Sequence, residues 1–258
     1  MRQKLILCDL DGTLLKSDKT ISRRTAMALE KCRERGILVG FATSRGKSNI
    51  AKYENQIRPD IVICNGGACV FCEGKLIRAA TFSLDETRAL LKKAYEICSD
   101  GAEITLDTLD RIFWNRTRDK STEYAWDSIF DDFKDFKEPA MKICVQTDDT
   151  KKARAIASAV PGCDFLPFSD IPWHKFSAAN ATKESAIDFL CRHLGISADE
   201  ITAFGDDHND IGMLRMCGIG VAMQNAIAEV KEAADALTLS NDEDGVADFV
   251  ERLMAKDC

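Results

Sequence analysis

The stretch LCDLDGTLL, residues 7–15, sets two acids and a glycine against the end of an apolar run. Residues 4–8 are apolar after their first position, the pattern of a parallel strand covered on both faces. In a sheet of such strands ligands bind beyond the carboxyl ends, which is where Asp9 and Asp11 fall. Gly12 lets the chain turn sharply, and residues two apart project to one side while the backbone stays extended. Two ionised carboxylates about 4 Å apart repel by roughly 4 kcal/mol at an effective dielectric near 20. Either a cation sits between them or one carboxyl keeps its proton, and both arrangements serve phosphoryl chemistry. Taken alone, the same residues also compose an ordinary surface turn.

Outward from this stretch, the alternation of strand and helix sets the fold class. Ser22 is placed to cap a helix over residues 23–35 that Gly36 stops. Residues 37–42 read as a second buried strand, 44–57 as a helix and 61–64 as a third strand ending in NGG, residues 65–67. This rhythm predicts a doubly wound, Rossmann-like parallel sheet of the α/β class. It then changes: residues 68–82 read as a hairpin turning at Glu73 and Gly74, and Ser83 with Glu86 forms a capping box for a helix to Cys98. Strands near 103–106, 111–115, 141–146, 164–168 and 173–177, with a helix over 150–160, make a mixed α+β set. The parallel rhythm resumes with a helix over 183–194, a strand over 201–204, a helix over 210–216, a strand over 218–222, and helices over 227–234 and 246–254. The expected organisation is one α/β core, residues 1–82 and 178–258, interrupted by an inserted α+β domain at 83–177.

Composition narrows the function classes. The 258 residues suffice for a sizeable core, and 45% hydrophobic with 30% charged residues match an ordinary soluble protein. A net charge of -7 without a basic block argues against a nucleic-acid partner. The apolar runs are too short to cross a bilayer, and Asp9 and Asp11 cut the N-terminal apolar patch before it could serve as a signal peptide, so a cytoplasmic location is expected. Eleven scattered cysteines then read as reduced thiols. Cys69 and Cys72 form one C-x-x-C with no second pair at zinc-ribbon spacing, so a structural role is expected.

Three further stretches bear on chemistry. Strand two ends in Thr43, Ser44 and Arg45, where hydroxyls and helix-start amides can hold a phosphate oxygen, or where a plain helix cap would sit. Lys183 opens a helix, a place the helix dipole disfavours for a cation, and by itself it reads as a surface lysine. FGDDHND, residues 204–210, sets three carboxylates and an asparagine after a buried strand, an oxygen-rich set that suits Mg²⁺.

These four stretches in this order resemble the haloacid dehalogenase-like superfamily of phosphohydrolases, and more closely its Cof-type branch. Asn65 to Gly67, VAMQNA at 221–226, AAD at 233–235 and SNDEDGV at 240–246 resemble the core of that branch, and the position of the insertion is similar to a type II cap. The resemblance implies that Asp9 is the nucleophile that forms an aspartyl-phosphate and that Asp11 is the acid/base. It implies Mg²⁺ on Asp9, the Asp11 carbonyl, Asp206 and Asp210, with Thr43, Ser44, Lys183 and Asn209 binding the phosphoryl group. Glu184 stands where the family often has glycine. The implied activity is a Mg²⁺-dependent phosphatase for small phosphorylated metabolites, sugar phosphates first. A phosphosugar mutase, or a non-catalytic phosphometabolite-binding or redox module, are the alternatives. Substrate contacts from the insertion are expected among Trp114, Asn115, Arg116, Trp173 and His174.

Overall fold

The computed structural model describes residues 3–98, 101–116, 128–168 and 171–255. In chain order the first segment is β1 (Leu5–Cys8), α1 (Arg23–Glu34), β2 (Leu38–Ala42), α2 (Ala51–Ile57), β3 (Ile61–Cys64), β4 (Cys69–Cys72) and β5 (Lys75–Ala79). The middle segment is α3 (Leu84–Cys98), β6 (Ile104–Asp107), β7 (Ile112–Trp114), β8 (Ser128–Phe130), β9 (Lys142–Gln146), α4 (Thr150–Ala157), β10 (Asp164–Pro167) and β11 (Trp173–Ser177). The last is α5 (Lys183–Leu194), β12 (Ile201–Gly205), α6 (Ile211–Met216), β13 (Ile219–Ala222), α7 (Ala228–Ala233), β14 (Ala236–Leu237) and α8 (Gly245–Ala255).

Every residue of β1 is buried, because this strand lies between two parallel neighbours, β12 and β2. The first and last segments share one eight-stranded sheet, ordered β14-β13-β12-β1-β2-β3-β4-β5. Only β4 runs against the other strands, antiparallel to β3 and to β5, and its pairing with β5 is the hairpin predicted at Glu73 and Gly74. The middle segment forms a separate six-stranded sheet, β10-β11-β9-β6-β7-β8. One apolar cluster gathers about the large sheet, and a second, from Phe82 to Phe176, about the small one. Among the described residues no helix is long and apolar enough to cross a membrane.

The faces of the small sheet differ. Ile104, Leu106, Ile143, Val145 and Phe176 lie in the apolar cluster with α3 and α4. Thr105, Asp107, Lys142, Cys144, Lys175 and Ser177 occupy the alternate positions, and all six are buried. In register Thr105 faces Cys144, Asp107 faces Lys142 and Cys144 faces Lys175, which makes one continuous polar face.

Three elements depart from the sequence expectation. The helix expected from Ser44 begins at Ala51 after a short 3₁₀ turn, because Ser44 is tied to residues of other segments. β8 and β14 went unpredicted, being three and two residues long and too short for periodicity to register. Cys69 and Cys72, three apart on β4, point to opposite faces of the strand, so the C-x-x-C does not form a joint thiol site. Cys69 is buried and faces Cys64 on β3.

Candidate active site

The end of β1 is drawn out by the strand beside it. The Asp9 amide donates to the Phe204 carbonyl at 3.0 Å, continuing the ladder with β12, and the chain then curls so that Leu14 N reaches the Asp9 carbonyl at 3.2 Å. Gly12 sits in the curl with φ +75°, and a Cβ there would lie 2.1 Å from Asp206 Oδ2. Both the left-handed backbone and the close approach require glycine.

Asp206 follows β12, and its Oδ1 accepts a hydrogen bond from Thr13 Oγ1 at 2.7 Å. Asp210 is 1% exposed. Its Oδ2 accepts from the amides of Asp206 (2.9 Å) and Asp207 (3.1 Å), and its Oδ1 accepts from Lys183 Nζ at 2.6 Å. Lys183 Nζ also donates to Asp9 Oδ1 at 2.7 Å. Lys183, which by itself reads as a surface lysine and which the resemblance sets among the phosphoryl-binding residues, is the cation of a buried triad, and the reason is local. Thr182 caps α5 through a reciprocal pair with Ser185, and Gly67 packs on the Thr182 backbone so closely that a Cβ would come within 2.1 Å of it. The helix start is thereby driven against the strand ends, where two carboxylates offset the unfavourable dipole.

Oxygens of Asp9, Asp206 and Asp210 lie within 4.8 Å of one another. Burial lifts Asp9 well above the usual carboxylate range; Lys183 opposes this, and the charges of Asp210 and Asp206 add to it. Burial and then the Asp210 charge push Asp206 up to about 7. Lys183 is raised because Asp210 and Asp9 outweigh the burial that works against its charge. Three carboxylates face one ammonium, so the cluster is short of positive charge. Hard oxygen donors crowded in this way suit a divalent cation of the Mg²⁺ kind.

Asp11 takes a different course from Asp9. Its carboxylate is 41% exposed and is held bidentately by Arg45, Nε to Oδ2 at 2.6 Å and Nη2 to Oδ1 at 2.7 Å, with Lys19 Nζ at 2.8 Å. Burial works upward here too, but the Arg45 and Lys19 contacts outweigh it and hold Asp11 at about 2. The repulsion between the two acids is thus relieved by sending each to its own cations.

The phosphate-binding candidates form a second layer. Thr43 is 1% exposed at the end of β2, and its Oγ1 accepts from Arg45 N at 3.1 Å. Ser44 Oγ accepts from Asn209 Nδ2 at 2.9 Å, and Asn209 Oδ1 accepts from Lys175 Nζ at 2.6 Å. Lys142 Nζ donates to the Ser44 carbonyl at 2.9 Å and pairs with Asp107 at 3.0 Å. A Cβ on Gly46 would meet Asp107 Oδ2 at 2.7 Å, and one on Gly66 would meet Lys175 Nζ at 2.7 Å. The polar face of the small sheet is therefore the face turned to the strand ends of the large one.

Lys142 and Lys175 escaped the sequence reading. The available signal was a lysine opening β9, KICVQ, and a lysine at the middle of β11, WHKFS. Of the residues expected to touch substrate, two are engaged within the small sheet's own segment: Asn115 Oδ1 accepts from Ile104 N at 2.8 Å, and buried His174 lies 2.8 Å from the Thr147 carbonyl through Nδ1. Arg116 donates to the Gly101 carbonyl.

Comparison with known proteins follows the same outline. Residues 6–250 match the haloacid dehalogenase-like hydrolase family. The chain is 27% identical to the 5-amino-6-(5-phospho-D-ribitylamino)uracil phosphatase YwtE of Bacillus subtilis (strain 168), over 98% of each chain. The structure of the subclass IIB sugar phosphatase BT4131 superposes with a TM-score of 0.84 at 25% identity, covering 97% of this chain and 99% of that one. BT1666, a phosphatase from Bacteroides thetaiotaomicron, gives 0.84 at 25% identity over 97% and 94%. With the DLDGT turn, the buried lysine and the acidic loop assembled at the end of one parallel sheet, the chain belongs to the haloacid dehalogenase-like hydrolase family, in its Cof-type phosphohydrolase branch.

Proposed function

We propose that the protein is a Mg²⁺-dependent phosphatase that hydrolyses a small phosphorylated metabolite through a covalent bond to Asp9. The observation that carries this reading is the buried contact of Asp9 with Lys183 and the carboxylates of Asp206 and Asp210. An Asp9 oxygen attacks phosphorus as the bond to the leaving oxygen breaks, and a proton passes to that oxygen. Water then attacks the aspartyl-phosphate, releasing phosphate and restoring the carboxylate. Lys183, the Thr43 hydroxyl, Ser44 and Asn209 bind the phosphoryl oxygens, whose charge needs fixed donors.

Asp9, Asp206 and the Asp11 carbonyl would hold the metal, which supplies charge for the phosphoryl oxygens and offsets the clustered carboxylates. Asp210 serves them as an anchor, since both of its oxygens are engaged by Lys183 and two amides. Asp11 stands ionised, and the Arg45 and Lys19 contacts that hold it at about 2 leave it a weak base while they last. To protonate a leaving group it must first leave Arg45 and Lys19. Residues 83–177 act as a cap that closes over the strand ends and excludes water. The names of the relatives support phosphorylated sugars or sugar-alcohol compounds as the substrate class.

The test is phosphate release from a panel of phosphorylated metabolites, with and without Mg²⁺. Release is expected only with the metal, and Asp9→Asn is expected to lower it by at least about a thousandfold. Substantial turnover by the folded variant would remove Asp9 from the nucleophile role.

A further inference from the structure

Three lysines of this region are buried, and their partners differ. Lys183 has Asp9 and Asp210, and Lys142 has Asp107. Lys175, 3% exposed on β11, donates to the neutral amide oxygen of Asn209 at 2.6 Å. Among the described residues no carboxylate lies within ion-pair distance of it. A buried ammonium without a counter-ion is disfavoured. Burial, together with the charges of Lys183 and Lys142, pushes Lys175 down to about 8.

Lys175 also borders open space. A cavity of about 400 Å³ beside the site is lined by Lys175, Asn209, His208, Arg215, Asp164 and Glu184 among others. Its wall joins β10 and β11 of the small sheet to the acidic loop and α6 of the large one. The amine lies so near Gly66 that a side chain on that residue would displace it. A buried cation lacking an anion, beside a cavity that also touches a phosphate-binding candidate, has the form of an unfilled half of an ion pair.

We infer that Lys175 is a specificity-determining residue that takes a second acidic group of the substrate, a carboxylate or a further phosphate, as its counter-ion in this cavity. The inference rests on the phosphatase reading for the placement of the first phosphoryl group. It excludes simple neutral sugar monophosphates as the best ligands, and it assigns the choice of leaving group to the small sheet.

The test uses the full chain carrying Asp9→Asn with Mg²⁺ present, and titration calorimetry on matched pairs. One arm compares 6-phosphogluconate with glucose 6-phosphate, the other fructose 1,6-bisphosphate with fructose 6-phosphate. In at least one arm the more acidic member is expected to bind about tenfold tighter or better, and the arm that responds names the acidic group. Adding Lys175→Met is expected to bring that ratio near one, while Lys175→Arg keeps most of it. If the methionine variant fails to fold, Lys175→Gln supplies the same comparison. Equal affinities in both arms, no binding of any of the four compounds, or a ratio unmoved by the neutral variants would overturn the inference. A uniform loss for both members of a pair would mean that Lys175 only supports Asn209, and would overturn it too. The two readings separate: a preserved ratio without phosphate release by the unmutated protein sinks the phosphatase reading alone, and release without a ratio sinks this one alone.

Discussion

Lys175 and Lys183 lie eight positions apart, both buried, and their neighbours push them in opposite directions. Lys183 gains two carboxylates, whereas Lys175 gains burial and like charges. A fall from 10.5 to about 8 corresponds to on the order of 3 kcal/mol of differential stability. The sign follows from proton counting. Between pH 8 and 10.5 the unfolded chain keeps the Lys175 proton and the folded chain does not, so stability from this group rises with pH across that window. Below pH 8 the full penalty is present. Lys175→Met is therefore expected to raise the melting temperature at pH 7, with the gain shrinking toward zero by pH 10.5, as a series of thermal melts would show. A gain independent of pH would assign the effect to packing instead. Such a penalty was not legible in sequence, because a lysine's cost depends on what faces it. The positions of Asp9, Asp11, Asp206 and Asp210 were legible, since each follows a strand whose apolar run marks its end.

At the level of elements, the start of α5 governs the position of Lys183. Thr182 accepts from Ser185 N at 3.2 Å, and Thr182 N donates to Ser185 Oγ at 3.2 Å. Thr182→Ala removes the capping acceptor and is expected to cost about 1 kcal/mol in urea unfolding. Because the next residue is the buried cation, turnover should fall by more than that loss of stability implies; a variant with the stability loss and unchanged kcat/KM would contradict this. The bounds of α5 were readable from its sequence, Lys183 to the Gly195 stop. Those of α2 were not, since Asn209 and Lys142, from distant segments, hold Ser44 out of the helix. Short edge strands such as β14 carry no pattern of their own and exist because β13 offers an unpaired side.

For the whole molecule, alternation of strand and helix was enough to place the site at the carboxyl ends of the large sheet. How the small sheet is turned was not. Strand patterning assigns residues to faces, and only the assembled chain shows that the face bearing Lys142 and Lys175 is covered by the other sheet rather than by water. A buried polar face is ambiguous in sequence because its residues resemble those of an exposed one. Lys142 and Lys175 resolve here through Ser44 and Asn209, about 98 and 34 positions away.

The pairing of β1 with β12 also bears on how the chain comes off the ribosome. Leu5 pairs with Ile201 and Cys8 with Phe204, so β1 must wait until the chain some 196 positions further on has been made before one of its sides is covered. Until then LILC offers an apolar open edge, the kind that recruits other nascent chains. A fragment released after residue 182 is expected to sediment as aggregate, and a soluble, cooperatively melting fragment would show that β2 and the hairpin alone can shelter that edge. The centre of the sheet, which makes the finished enzyme's site so well buried, is thus the part of the growing polypeptide most in need of a chaperone.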